Sequence, residues 1–275
     1  TNDFFIVVYN EEDLAGLPAS SIATAAEEAK ARNLDGLWVF TLHAPSRLPV
    51  LQYADNRGLR EAMYKGYTSL ASTGETSNIP VIEQIIPLRA KKAAIMGFDN
   101  FAQMMTSRVM AGTPEAAEDL MMQVFTPAVK RSAEEVKDMQ AYVDARNGGF
   151  KIAPWDYYYY AEKVKKEKFN FDEADVRPYF ELNNVVKGMF YVAERLFGIK
   201  FIEMPDAPKY MEEVTVYDVV DAKGEHVAVF MTDFFPRASK RQGAWMEQMQ
   251  SAGLYGDGTM KRPIVYNVCN FTRPT

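Results

Sequence analysis

The chain has 275 residues, 48% of them hydrophobic and 25% charged, which excludes a disulfide-stapled miniprotein, a fibrous repeat and a disordered tail. Its 31 Lys and Arg against 37 Asp and Glu give a formal charge of -6, a sign that repels nucleic-acid backbones and anionic membrane surfaces. The longest apolar runs, Phe4–Tyr9 and Val227–Met231, fall short of the roughly 18 residues of a bilayer span, and the single Cys269 has no internal partner, so a cytoplasmic location is expected.

In chain order, the alanine-rich run from Pro18 to Asn33 reads as a helix, and Leu37–Leu42 after Gly36 as a strand. Asn56 is placed to cap a helix reaching Ser72, with Leu59, Met63, Tyr67 and Leu70 on one face. A further helix opens at Ile79 with Pro80 in its first turn and stops at Gly97, where Asp99 is the expected cap of the next. Thr113-Pro114-Glu115 starts a long helix. Pro127 within it predicts a kink, with Ser132 and Glu135 as capping-box residues should the helix restart, and Gly148-Gly149 ends the segment. Trp155–Lys166 and Leu182–Phe197 are two more helices, the second closed by Gly198.

Beyond Pro208 the pattern changes. Val214–Val220 and His226–Met231 flank Asp221-Ala222-Lys223-Gly224 as a hairpin, and Gln242–Met246 and Ile264–Phe271 are further strands around a turn at Gly253–Gly258. The expected class is mainly α, a helical array over residues 1–208 with a small β-sheet over 209–275.

Little in this pattern carries chemistry. His43 and His226 are far apart and belong to no His-Glu-x-x-His pair, His43 beside Pro45 reads as a loop residue, and Glu225-His226 as an exposed strand pair. Cys269 sits in a strand pattern that suits a buried, inert thiol. The glycines between Gly253 and Gly258 lack the ending of a phosphate cradle, and Arg237, Lys240 and Arg241 read as a basic loop, more a solvated one than a site for a substrate carboxylate. Tyr157–Tyr160 fits mixed core and boundary packing on a helix, while Glu134-Glu135 and Asp172-Glu173 fit helix-start electrostatics.

Particular runs are more specific. Asn56-Arg57-Gly58-Leu59-Arg60, Pro154-Trp155-Asp156, Arg177–Leu182, Arg195–Ile199, Asp233–Arg237, Lys240, Gly243–Met246 and Pro263–Asn270 follow in one order. With them the chain resembles, from about Leu17 onward, the zinc metallopeptidase family of thimet oligopeptidase, oligopeptidase A and bacterial peptidyl-dipeptidase, and its wording is most like the last.

The resemblance implies that the His-Glu-x-x-His helix, the third zinc ligand and the oxyanion-stabilising residues follow the segment Tyr266–Asn270, so the chain reads as a middle portion of a longer enzyme, inactive alone and without zinc ligands. It implies a channel wall in which Gly243, Ala244 and Trp245 bind an extended peptide through backbone groups, small residues at 243 and 244 letting the peptide approach. Where family members often carry a second glycine this chain has Gln242. The implied activity is removal of C-terminal dipeptides from short peptides, with internal cleavage of oligopeptides or non-catalytic peptide binding as alternatives. The implied partners are peptide substrates and the remainder of the same polypeptide.

Overall fold

The computed structural model describes residues 4–171, 173–237 and 239–272. In chain order the elements are β1 (Phe5–Val8), α1 (Ala19–Lys30), β2 (Trp38–Thr41), α2 (Ala44–Tyr53), α3 (Arg57–Thr68), α4 (Ile79–Ile95), α5 (Phe101–Thr106), α6 (Pro114–Asp144), α7 (Tyr157–Phe169), α8 (Glu173–Val176) and α9 (Leu182–Phe197). The strands β3 (Lys200–Glu203), β4 (Thr215–Val220), β5 (His226–Asp233), β6 (Trp245–Gln250), β7 (Gly253–Leu254), β8 (Met260–Lys261) and β9 (Ile264–Val268) complete it. Helices thus dominate, and the sheet lies in the C-terminal part. Two compact units are present, one of residues 1–50 with 165–275 and one of 51–164. Residue 208 separates helix-rich from strand-rich sequence, whereas these units follow packing.

The unit of residues 51–164 is helical. Asn56 Oδ1 accepts the Leu59 N–H and Thr113 Oγ1 accepts the Ala116 N–H, so both predicted caps satisfy first-turn donors that have no partner within the helix. The cap of α5 is Asn100, whose Oδ1 accepts the Gln103 N–H, rather than Asp99. Helix α6 runs unbroken through Pro127, and Glu135 pairs with Arg131 instead of capping a new start at Ser132.

Asp156 holds this unit together. Its side chain is fully buried and accepts from Arg57 Nε and Nη2, from Arg60 Nη2 at 2.8 Å and from the Ala153 N–H at 3.0 Å. Arg60 also donates to the Ala54 and Asp55 carbonyls and lies 4.2 Å from the Tyr159 ring centre. Burial pushes the Asp156 carboxyl up, but the hydrogen bonds from Arg57, Arg60 and Ala153 outweigh it and hold the group below its ordinary value. In the tyrosine run Tyr158 is exposed and the others are half-buried, with the Tyr159 hydroxyl donating to Asp55 Oδ1 at 2.7 Å.

In the other unit β1 and β2 form an antiparallel pair, with α1 against β2. The larger sheet has the order β3-β4-β5-β9-β6, antiparallel except for the parallel β5–β9 pair. Val214, Val216 and Met231 form its buried cluster, and Phe190 of α9 stacks on Phe201 at 4.2 Å. Gly224 closes the β4–β5 hairpin at φ +83°, and Gly198 ends α9 at φ +69°, both positions that favour a residue without Cβ. Asp172 lies outside the described residues.

Two elements differ from expectation. His43 lies in the bend before α2, as expected of a loop residue, but helix α2 itself has no counterpart in the expected elements. Pro45 falls in its first turn, where no donor is lost, and the His43 carbonyl accepts the Ser46 and Arg47 N–H groups. The strand expected over Gln242–Met246 begins at Trp245, because the residues before it form a turn.

Removal of the Asp156 carboxylate leaves Arg60 buried without its acid, so Asp156→Ala should lower unfolding free energy by about 3–5 kcal/mol in urea titrations. Because the folded value is depressed, the stabilisation is complete above the unfolded value of about 3.9 and is lost as pH falls through the folded one. The urea midpoint should therefore drop below about pH 4, and drop less in Asp156→Asn.

Candidate functional site

The five-stranded sheet ends on β6. Among the described residues β6 pairs with β9 alone, and in an antiparallel strand alternate residues turn their N–H and C=O groups away from the neighbour. Trp245 is half-buried and Met246 to Met249 are exposed, so both faces of this edge strand are open to solvent. The register aligns Asp233 of β5, Val268 of β9 and Trp245 of β6 in one row across the sheet.

The turn leading into β6 is organised by Asp233, which is 1% exposed. Lys240 Nζ and Arg237 Nη1 each donate to its Oδ1 at 2.9 Å, and the Tyr210 hydroxyl donates to Oδ2 at 3.0 Å. Burial raises the carboxyl, and these three hydrogen bonds bring it below its ordinary value. Tyr210 is pushed up to about 12, chiefly by burial and then by its bond to Asp233. Two of the three cations of the basic loop are therefore neither solvated nor free to take a substrate carboxylate. Arg237 and Lys240 are committed to Asp233, whereas Arg241 is exposed and lies 4.8 Å from the Trp245 ring centre.

The sequence-predicted residues Gly243, Ala244 and Trp245 come together where this turn meets the edge, with Gly243 and Ala244 exposed. Gly243 has φ +102°, and a Cβ built there meets nothing within 4 Å, so the backbone angle rather than lack of space requires glycine. Asn270 Nδ2 donates to the Arg241 and Gly243 carbonyls at 3.1 and 2.6 Å. Gln242, in place of a second glycine, reaches the Leu42 carbonyl at 3.4 Å. Residue-type reasoning overlooked Asp233, Tyr210 and Asn270 as parts of this site. The available signal was an acid ending a strand with a lysine seven residues on.

The remaining candidates do not assemble a reactive centre. Cys269 is half-buried and burial pushes its thiol up, away from a reactive thiolate. Glu225 and His226 are both exposed, as expected; His226 pairs with Val220 in the β4–β5 register, and its Nδ1 lies 2.6 Å from Asp218 Oδ1. His43 lines a cavity of about 220 Å³ with Glu28, Arg32, Thr41 and Arg237, and burial lowers its pKa. Among the described residues no group of three or more His, Cys, Asp or Glu could hold a metal ion, and no helix is long and apolar enough to cross a membrane.

The profile of peptidase family M3 matches residues 50–275. The chain belongs to this family. It is 38% identical over 273 residues to dipeptidyl carboxypeptidase of Escherichia coli, an alignment covering 98% of this chain and 39% of that protein. It is 35% identical to oligopeptidase A of Salmonella typhimurium, over 98% of this chain and 40% of the relative. The organellar oligopeptidase A of Arabidopsis thaliana is 34% identical, over 100% of this chain and 36% of the relative. This M3 chain thus spans about two-fifths of the length of the curated relatives it matches.

Since φ at Gly243 is positive, Gly243→Ala should cost about 1–2 kcal/mol in unfolding free energy, measured by urea denaturation. The same substitution at Gly253, which has neither a positive φ nor an obstacle to Cβ, should cost less.

Proposed function

We propose that the parent polypeptide is a zinc-dependent peptidyl-dipeptidase that removes C-terminal dipeptides from short peptides in the cytoplasm, and that this chain forms a wall of its substrate channel. Gly243, Ala244 and Trp245 bind the peptide main chain. The observation that carries the reading is the single-sided edge at β6, whose preceding residues are small and exposed in a member of a peptidase family. An extended peptide added to such an edge is held by main-chain hydrogen bonds whatever its side chains, which suits turnover of many sequences.

The described residues do not fit a zinc site, so their contribution is to bind and orient, and no zinc-dependent step is assigned to them. The ligands belong to the remainder of the same polypeptide. That remainder also accounts for the apolar residues left open on helices: Val81, Ile82, Ile85 and Ile86 on α4, Leu120, Met121, Val124 and Phe125 on α6, and Val185, Met189, Val192 and Leu196 on α9. The relatives named oligopeptidase A support a second reading, internal cleavage of short peptides.

The test gives the full-length parent an N-blocked hexapeptide, with and without a metal chelator, and follows products by mass spectrometry. Stepwise loss of C-terminal dipeptides, abolished by the chelator, is the expected result. Internal cuts would favour the oligopeptidase reading, and no cleavage by a folded, zinc-loaded parent would leave peptide binding without catalysis.

A further inference from the structure

Two side chains that present no reactive chemistry hydrogen-bond the backbone of the turn between β5 and β6. Lys240 Nζ donates to the Asp233 carbonyl at 2.9 Å, the Phe235 carbonyl at 2.8 Å and Asp233 Oδ1 at 2.9 Å, which uses all three ammonium donors. Both the Lys240 and Asp233 side chains are 2% exposed, so neither is available to a ligand.

Asn270 makes the second tie. Its Nδ2 bridges the carbonyls of Arg241 and Gly243, at the far end of the same turn. The segment that carries Asn270 is itself fixed, since the Cys269 and Phe271 N–H groups donate to the carbonyls of Asp233 and Phe234, extending the β5–β9 pairing past the end of both strands. The turn is thus fastened at its start by Lys240 and at its end by Asn270. Gly243 between them supplies the φ of +102° that lets the chain swing into β6.

We propose that Lys240 and Asn270 are positioning residues for peptide binding: their ties to the Asp233, Phe235, Arg241 and Gly243 backbone preset the Gly243–Trp245 edge for an extended peptide. The inference rests on the reading of that edge as the peptide-binding strand. A free turn would have to be ordered by the arriving peptide, and the entropy lost in doing so is subtracted from affinity. The ties meet this cost during folding instead. Because main-chain pairing forms alike in the bound ground state and the transition state, its loss raises KM and leaves kcat in place.

The experiment uses the full-length parent, its Lys240→Met and Asn270→Ala variants, and N-blocked hexapeptides carrying one backbone N-methyl group at successive positions away from the cleaved bond. In the unaltered enzyme one methylated position should raise KM about tenfold by removing a main-chain donor. Each variant should raise KM for the unmethylated peptide about tenfold with kcat within about twofold. In each variant the sensitive N-methyl group should then add less than about threefold, since the edge it would pair with is already misplaced.

Additive losses would overturn the positioning role and leave the edge-strand reading standing. A fall in kcat at unchanged KM would also overturn it. If no N-methyl position matters in the unaltered enzyme, the edge-strand reading itself fails, and the inference with it. Should Lys240→Met not fold, Asn270→Ala carries the test, because its partly exposed amide can be removed without stranding a buried charge.

Discussion

A carboxylate taken out of water must be neutralised where it sits, and that requirement organises both units of this chain. Asp156 and Asp233 are each almost completely buried, and each draws two cationic side chains onto its oxygens. What differs is the sequence distance. Arg57 and Arg60 are 99 and 96 residues from Asp156, so that cluster joins the start of α3 to the segment before α7. Arg237 and Lys240 are 4 and 7 residues from Asp233, so the second cluster shapes one turn. The first is a tie between distant segments and the second is a local brace.

The cations are chosen to suit. Arg57 meets Asp156 with Nε and Nη2 together, the planar fork that matches a carboxylate, while the aromatic rings of Phe150 and Trp155 lie against its guanidinium. Lys240 instead serves two carbonyls and one carboxylate oxygen arranged around a point, which three tetrahedral donors satisfy and a planar fork does not. Arg237 completes the pairing from the half-buried side.

These clusters also explain what the sequence made legible. Helix caps at Asn56, Thr113 and Gly198 were readable because a cap and its partner lie within one turn. Helix α2 was not, since two prolines in ten residues dominate the local pattern while its docking is invisible there. The start of β6 was displaced because Gly243 and Asn270, 27 residues apart, fix the turn together. The motif runs themselves were plain, yet their physical content was hidden. The Arg57 and Arg60 run and the Asp156 run are two halves of one buried ion cluster, and the Asp233–Arg237 run with Lys240 is the other.

If β6 is the peptide-binding edge proposed above, a reactive constellation among the described residues is not required of it. A strand that accepts any peptide sequence must do so through groups every residue has, so the side chains that matter are those that aim the backbone rather than those that face the ligand. A search by side-chain chemistry passes over Asn270, an amide bonded to two carbonyls, and misfiles Lys240 as a surface cation. Arg241 makes the contrast, being exposed with its guanidinium 4.8 Å from the Trp245 ring centre, at the surface rather than among the buried ties. In such a site, affinity is set by how completely the turn is immobilised before the peptide arrives, and that property resides in buried polar ties far more than in the residues along the edge.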